Sequence, residues 1–146
     1  MRILGVSKTW PKLKNDLWTT YRFPRKDRDW GIEEVVQVVY KPRSKEREVI
    51  GIARIIRKEP KDLNKQYFYY PGIGDYNTPE TITPSEAEED GFTGMHGGGD
   101  TEKMRRWFID TYGYSKCKEL INKLTLYWLS GDALADKITQ ATEVKQ

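Results

Sequence analysis

Thr20 and Arg22 stand two residues apart in the stretch Trp18-Thr19-Thr20-Tyr21-Arg22-Phe23. On a strand that spacing puts both side chains on one face. A hydroxyl and a guanidinium there line a polar pocket. If they face such a pocket, Trp18 does too and Tyr21 faces away. Directly downstream, Arg25, Lys26 and Arg28 lie between Phe23 and Trp30. Aromatic faces stack on bases, and cationic side chains bind phosphates. A short segment carrying both suits a nucleic-acid site. It equally suits a strand beside a salt-bridged loop, with Thr20 as a β-former and Arg22 paired to an acid.

Other residues with chemical potential are scattered. Glu86, Glu88, Glu89 and Asp90 form an acidic cluster. Most of it reads as a solvated helix face near an N-terminus. Asp90 falls at the helix end, where the dipole disfavours a carboxylate, so it is a candidate ligand-binding group or general base. His96 is the only histidine, in the glycine-rich loop Gly94-Met95-His96-Gly97-Gly98-Gly99. With no cysteine nearby, a metal site there would need carboxylates from elsewhere. His96 therefore reads as a solvated loop residue, and neither metal nor cofactor is expected. The triple glycine lacks the Gly-Lys-Ser/Thr ending of a phosphate loop and reads as a linker. Cys117 is alone, which excludes a disulfide framework within the chain and fits a reducing cytoplasm.

The chain has 146 residues, enough for one domain with a real core. Charged residues make up 32% and apolar ones 37%, a polar but foldable composition. The net charge of +3 conceals an asymmetry: residues 1–65 carry +8 and residues 66–146 carry −5. Such a balance suits a polyanion-binding face, unless the two halves interleave in the fold. The apolar run at 3–6 is too short for a signal peptide, and no run approaches a membrane span. A soluble, cytoplasmic chain without membrane contact is the expectation.

These residues need elements to hold them. Residues 3–6 read as a first strand, and 9–16 as a short helix capped by Thr9 with Pro11 in its first turn. Residues 18–23 read as a strand that Pro24 ends. The Val- and Ile-rich runs 34–41 and 47–57 flank a turn-like linker and predict a hairpin, with Gly51 marking a bulge or bend. Residues 58–63 read as a connector, and 67–70 as a short strand or ordered insertion. Thr83-Pro84-Ser85-Glu86 carries the signature of a capping box with proline at the first helical position. Asp100 caps a second helix over 101–112, stopped by Gly113, with Met104, Trp107, Phe108 and Thr111 on one face. Residues 123–129 alternate and read as a closing strand. Residues from 131 read as a helix or tail. Strands, then helices, then a last strand make an α+β domain or a small barrel with helices on one side.

The order of these pieces resembles the ASCH domain of the PUA-like superfamily. The likeness runs through Thr20-x-Arg22, Gly31-Ile32-Glu33-Glu34-Val35-Val36-Gln37-Val38, the strand at 49–56, and Ile82-Thr83-Pro84 to Glu89-Asp90-Gly91-Phe92. It closes on Met104-x-x-Trp107-Phe108-x-x-x-Tyr112-Gly113 and Asn122-Lys123-Leu124-Thr125-Leu126. The resemblance implies an α+β fold: a small, partly open PUA-like β-barrel of mixed strands, with helices over one opening. It places this ASCH domain at 1–130, with 131–146 outside it. It also implies a pocket between barrel and helices. Relatives in that superfamily bind RNA or read modified bases. Some small ASCH proteins are amidohydrolases on acetylated cytidine, using a Lys, a Thr and a Glu, and others have been described as ribonucleases. Here Thr20 matches the Thr, Asp90 aligns with the Glu, and Leu17 stands where the Lys is expected.

Two functions follow as expectations. The first is a binding module for RNA or a nucleotide, with Trp18, Thr20, Arg22 and Asp90 in the pocket. Lys12, Lys14, Arg25, Lys26 and Arg28 would hold the phosphate backbone. The second is a hydrolase, either an amidohydrolase or a ribonuclease, with Thr20 and Asp90 catalytic. A third reading makes the aromatic segment 67–76 a protein contact; the same segment also suits a cover for the barrel end.

Overall fold

A computed structural model describes residues 1–7, 11–71, 74, 75 and 77–129. The strands, in chain order, are β1 (Arg2–Val6), β2 (Leu17–Arg22), β3 (Val35–Tyr40), β4 (Glu48–Lys61), β5 (Tyr69–Tyr70), β6 (Gly74–Asp75) and β7 (Ile121–Trp128). Two α-helices, α1 (Pro84–Glu89) and α2 (Thr101–Tyr112), precede β7. Among the described residues this makes an α+β chain with an open five-stranded sheet ordered β1-β3-β4-β7-β2 and a separate β5-β6 ribbon. The sheet is mixed: β1 runs parallel to β3, whereas β3 and β4 form an antiparallel hairpin.

The strands form where Val, Ile and aromatic residues alternate in burial. The hairpin register slips once. Val38 pairs with Gly51 and Val39 with Val49, so Ile50 is the extra residue of a bulge beside the glycine. The segment 58–61, expected as a connector, instead extends β4 to Lys61. Its side chains are mostly polar, and strand pairing rather than an apolar pattern keeps it extended. The helix expected over 9–16 is a single 3-10 turn at Pro11–Lys14. Its Thr9 cap lies outside the described residues, as does the helix or tail expected at 131–146.

The chain divides into two compact units. The first comprises residues 1–20, 29–58 and, of those described after 123, 124–129. Its core joins Leu4, Leu13, Trp18, Val36, Val38, Ile50, Ile55, Leu124, Leu126 and Trp128 with their neighbours. The Trp128 indole donates to the Leu13 carbonyl at 2.9 Å, so the burial of that N–H is satisfied. Arg2 ties this unit together. It pairs with Glu34, donates to the Asp29 carbonyl at 2.8 Å, and lies 4.5 Å over the Trp30 ring.

The second unit comprises residues 21–28 and 59–123, with a core of Tyr21, Leu63, Ile82, Ala87, Met104, Phe108, Cys117 and Ile121. Its members carry 12 Lys+Arg and 13 Asp+Glu, so the cations of 21–28 offset much of the acidic back half. Both helix signatures hold. The Thr83 hydroxyl accepts from the Glu86 N–H at 3.2 Å, and Glu86 accepts from the Thr83 N–H at 3.0 Å. Asp100 accepts from the Lys103 N–H at 2.9 Å, and Gly113 closes α2 with φ 91°. Within α2, Met104 and Phe108 are buried, while Trp107 flanks them at 43% exposure and Thr111 faces outward.

The glycine loop before α2 is built more tightly than a linker. Thr93 bridges to Gly99, and Asp100 donates to the Phe92 carbonyl at 2.9 Å. A Cβ on Gly99 would stand 1.6 Å from the Pro84 carbonyl oxygen, so only glycine allows that approach. Among the described residues no helix is long and apolar enough to cross a membrane.

Candidate functional site

The second unit holds a polar cluster built around the first turn of α1. Glu86 is its hub. The capping box fixes this side chain, which is only 10% exposed. Lys61, from the extension of β4, reaches it at 3.0 Å, and Lys123, from β7, at 2.7 Å. Lys61 also donates to the Pro79 carbonyl at 3.0 Å, and Lys123 lies 4.0 Å from Glu59. Burial alone would push the Glu86 carboxyl up. The hydrogen bonds from Lys123, the Thr83 N–H and Lys61 outweigh it, and the group is held below the usual carboxylate range. Both lysines thus face an ionised acceptor.

Tyr21 and Arg22, the end of β2 as it enters this unit, add two unmatched donors. The Tyr21 ring belongs to the core, and its buried hydroxyl has no hydrogen-bond partner. Burial, followed by the charges of Glu86, Asp90, Glu89 and Glu59, raises its pKa far above the ordinary phenol value. Tyr21 is therefore a fixed proton donor at neutral pH. The buried Nε of Arg22 is likewise without a partner. Burial lowers the guanidinium pKa, while Tyr112 and Asp90 act in the opposite direction. An arginine stays charged under such shifts. Asp90 thus bears electrostatically on both donors. Its own backbone closes α1, donating to the Glu86 carbonyl at 3.2 Å.

A buried donor subject to the charge of a carboxylate, as the Arg22 Nε is to Asp90, is complementary to a ligand edge carrying an acceptor and a donor. An amide or a nucleobase edge has that pattern. No trio of His, Cys, Asp or Glu side chains converges for a metal among the described residues. Cys117 is buried, and burial, against a smaller opposing effect of Arg105, pushes its thiol up, so it is a poor nucleophile.

The residues read from the sequence divide between the units. Trp18 and Thr20 belong to the first, and Arg22 and Asp90 to the second. Trp18 is 3% exposed and packs at 5.2 Å on Trp128, so its ring has no open face to offer a base. Its indole N–H, like the Tyr21 hydroxyl, lacks a partner. Thr20 is buried at 6% exposure. Tyr21 belongs to the hydrophobic core of the second unit. Lys14 is exposed and Lys12 half-buried in the first unit, whereas Arg25, Lys26 and Arg28 are exposed in the second. Arg25 lies 3.4 Å from Asp27, an open surface pair of little energetic weight. His96 is exposed, as a solvated loop residue should be.

Lys61 and Lys123 were not singled out by sequence. The only available signal was Lys123 at the start of the strand read at 123–129. No family model, curated protein or solved structure matches the chain.

Proposed function

We propose that this chain is an RNA- or nucleotide-binding module of the PUA-like ASCH type, with its recognition pocket at Arg22 and Asp90. One observation carries the reading: Tyr21 and Arg22 end a strand with buried donors that have no partner, under the influence of the same carboxylate. Unmatched buried donors cost free energy, and a ligand that supplies acceptors recovers it. The open mixed sheet followed by helices is the arrangement expected of a partly open PUA-like barrel. In this reading Asp90 accepts from a base N–H while Arg22 donates to a carbonyl or phosphate oxygen. Arg25, Lys26 and Arg28 contribute the salt-sensitive attraction to the backbone.

Hydrolysis is the weaker alternative. It needs a lysine free to act beside the carboxylate, and Lys61 and Lys123 both donate hydrogen bonds to Glu86. That commitment favours binding over turnover.

The test is fluorescence anisotropy with labelled single-stranded and duplex RNA at low and moderate salt. Arg22→Ala should lower affinity at least tenfold, and the pair Arg25→Ala/Lys26→Ala should flatten the salt dependence. No binding of either RNA at low salt would overturn the proposal.

A further inference from the structure

We infer that the second unit carries a track for single-stranded RNA along the C-terminal half of α2, beyond the pocket itself. This rests on the RNA-binding reading and extends it to a ligand class: unpaired RNA rather than a free nucleotide or a duplex.

The track is a run of rings with cations laid on it. Phe23 follows Arg22 directly and meets Tyr112 edge-on, with ring centres 5.2 Å apart. Tyr112 neighbours Trp107 at 6.3 Å. The core side of this helix is occupied by Met104 and Phe108, yet Trp107 is 43% exposed and Tyr112 45%. Just past the end of α2, Tyr114 is 55% exposed. Lys116 lies 5.3 Å over Phe23, and Lys118 lies 5.0 Å over Tyr114. Lys118 has no acidic partner among the described residues, whereas Lys116 pairs with Glu119 at 3.1 Å and Arg106, 72% exposed, with Glu102 at 3.8 Å, both as surface pairs. Both ends of the series belong to the same compact unit as the basic loop Arg25 to Arg28.

The composition selects the partner. Protein interfaces favour aromatic residues but are depleted in lysine. Here lysines sit on or beside the open rings. Stacking surfaces joined to cations are what unpaired nucleic acid uses, because each base offers a ring face and each linkage a phosphate. A duplex hides those faces, so it would gain only the electrostatic part. A mononucleotide would fill the pocket and leave the track empty. Placing Phe23 and Tyr112 next to Arg22 lets a strand whose base occupies the pocket lay its neighbours on the rings.

The probe is a fluorescein-labelled oligoribonucleotide of eight adenosines, compared with a labelled duplex and with a mononucleotide, on the full chain. Tyr114 is 55% exposed, so Tyr114→Ala and Lys118→Glu keep the fold, checked by thermal melting, and Trp107→Ala is added where it melts normally. Each ring removed should weaken octamer binding about tenfold and leave mononucleotide binding unchanged. If Tyr114→Ala and Lys118→Glu bind the octamer as tightly as the parent while Arg22→Ala does not, the track is overturned and the pocket stands. Equal affinity for duplex and octamer also overturns the track. Failure of the parent to bind any of the three overturns both.

Discussion

Replacing Glu86 tests whether the polar cluster behaves as its geometry requires. Glu86→Ala would strand Lys61 and Lys123, whose side chains are 8% and 14% exposed, and would remove half of the capping box. Removing one partner from a buried pair costs about 3–5 kcal/mol, and a lost cap about 1 kcal/mol. Lys61 keeps the Pro79 carbonyl and Lys123 keeps Glu59 at 4.0 Å, so the low end, about 4 kcal/mol in all, is expected. Glu86→Gln keeps an acceptor but not the charge and should cost about 2 kcal/mol at pH 7. The pH dependence has a definite sign. The Glu86 carboxyl is held below its ordinary value of 4.5, so its contribution is complete above that pH. It is lost as the pH falls through the lower, folded-state value. Urea unfolding of the parent and Glu86→Gln from pH 7 down to about pH 3 should therefore show a stability gap that narrows with acid. A gap under about 0.5 kcal/mol at pH 7, or one that stays constant with pH, would refute the ionised hub.

Two further substitutions probe the neighbours of this cluster. Tyr21→Phe removes a buried hydroxyl that has no partner, so stability should hold or rise by up to about 1 kcal/mol; a melting temperature lowered by several degrees would mean the hydroxyl is bonded within the fold. Gly99→Ala places a methyl 1.6 Å from the Pro84 carbonyl oxygen and should destabilise by more than about 3 kcal/mol in urea, whereas Gly97→Ala has open space and pays only for its φ of 80°, about 1 kcal/mol; equal, small effects would show that the loop does not pack against the start of α1.

The sequence was legible where local chemistry decides structure. Thr83, Pro84 and Glu86 announce a helix start because the capping box needs only residues three apart. Asp100 and Gly113 frame α2 for the same reason. The Val- and Ile-rich hairpin is equally local, and Gly51 marked its bulge to within one residue. Legibility failed where pairing partners are distant. The polar run 58–61 carries no strand pattern, and only its neighbours in the sheet extend β4 through it. The glycine loop looked like a linker because the carbonyl that excludes a Cβ at Gly99 comes from Pro84, fifteen positions away in the chain.

The candidate site shows the same limit in its chemistry. Arg22 and Asp90 were readable as types: a cation on a strand beside aromatics, and an acid at a helix end. Which groups oppose them was not readable. Glu86 looks solvated in sequence because three other acids surround it, yet it is the acid that two lysines reach. Those lysines lie 25 residues before it and 37 after it. With Glu86 satisfied, Lys61 and Lys123 are matched as well. Among the described residues, the buried donors that stay unmatched are the Trp18 indole N–H, the Tyr21 hydroxyl and the Arg22 Nε. A fold that matches a buried Glu–Lys–Lys set this fully, yet leaves three donors of β2 open, concentrates its unsatisfied polarity on one strand, where Arg22 alone of the three is not part of a hydrophobic core. That concentration is the physical reason to look for the ligand at Arg22 rather than at the larger cluster of charge beside it.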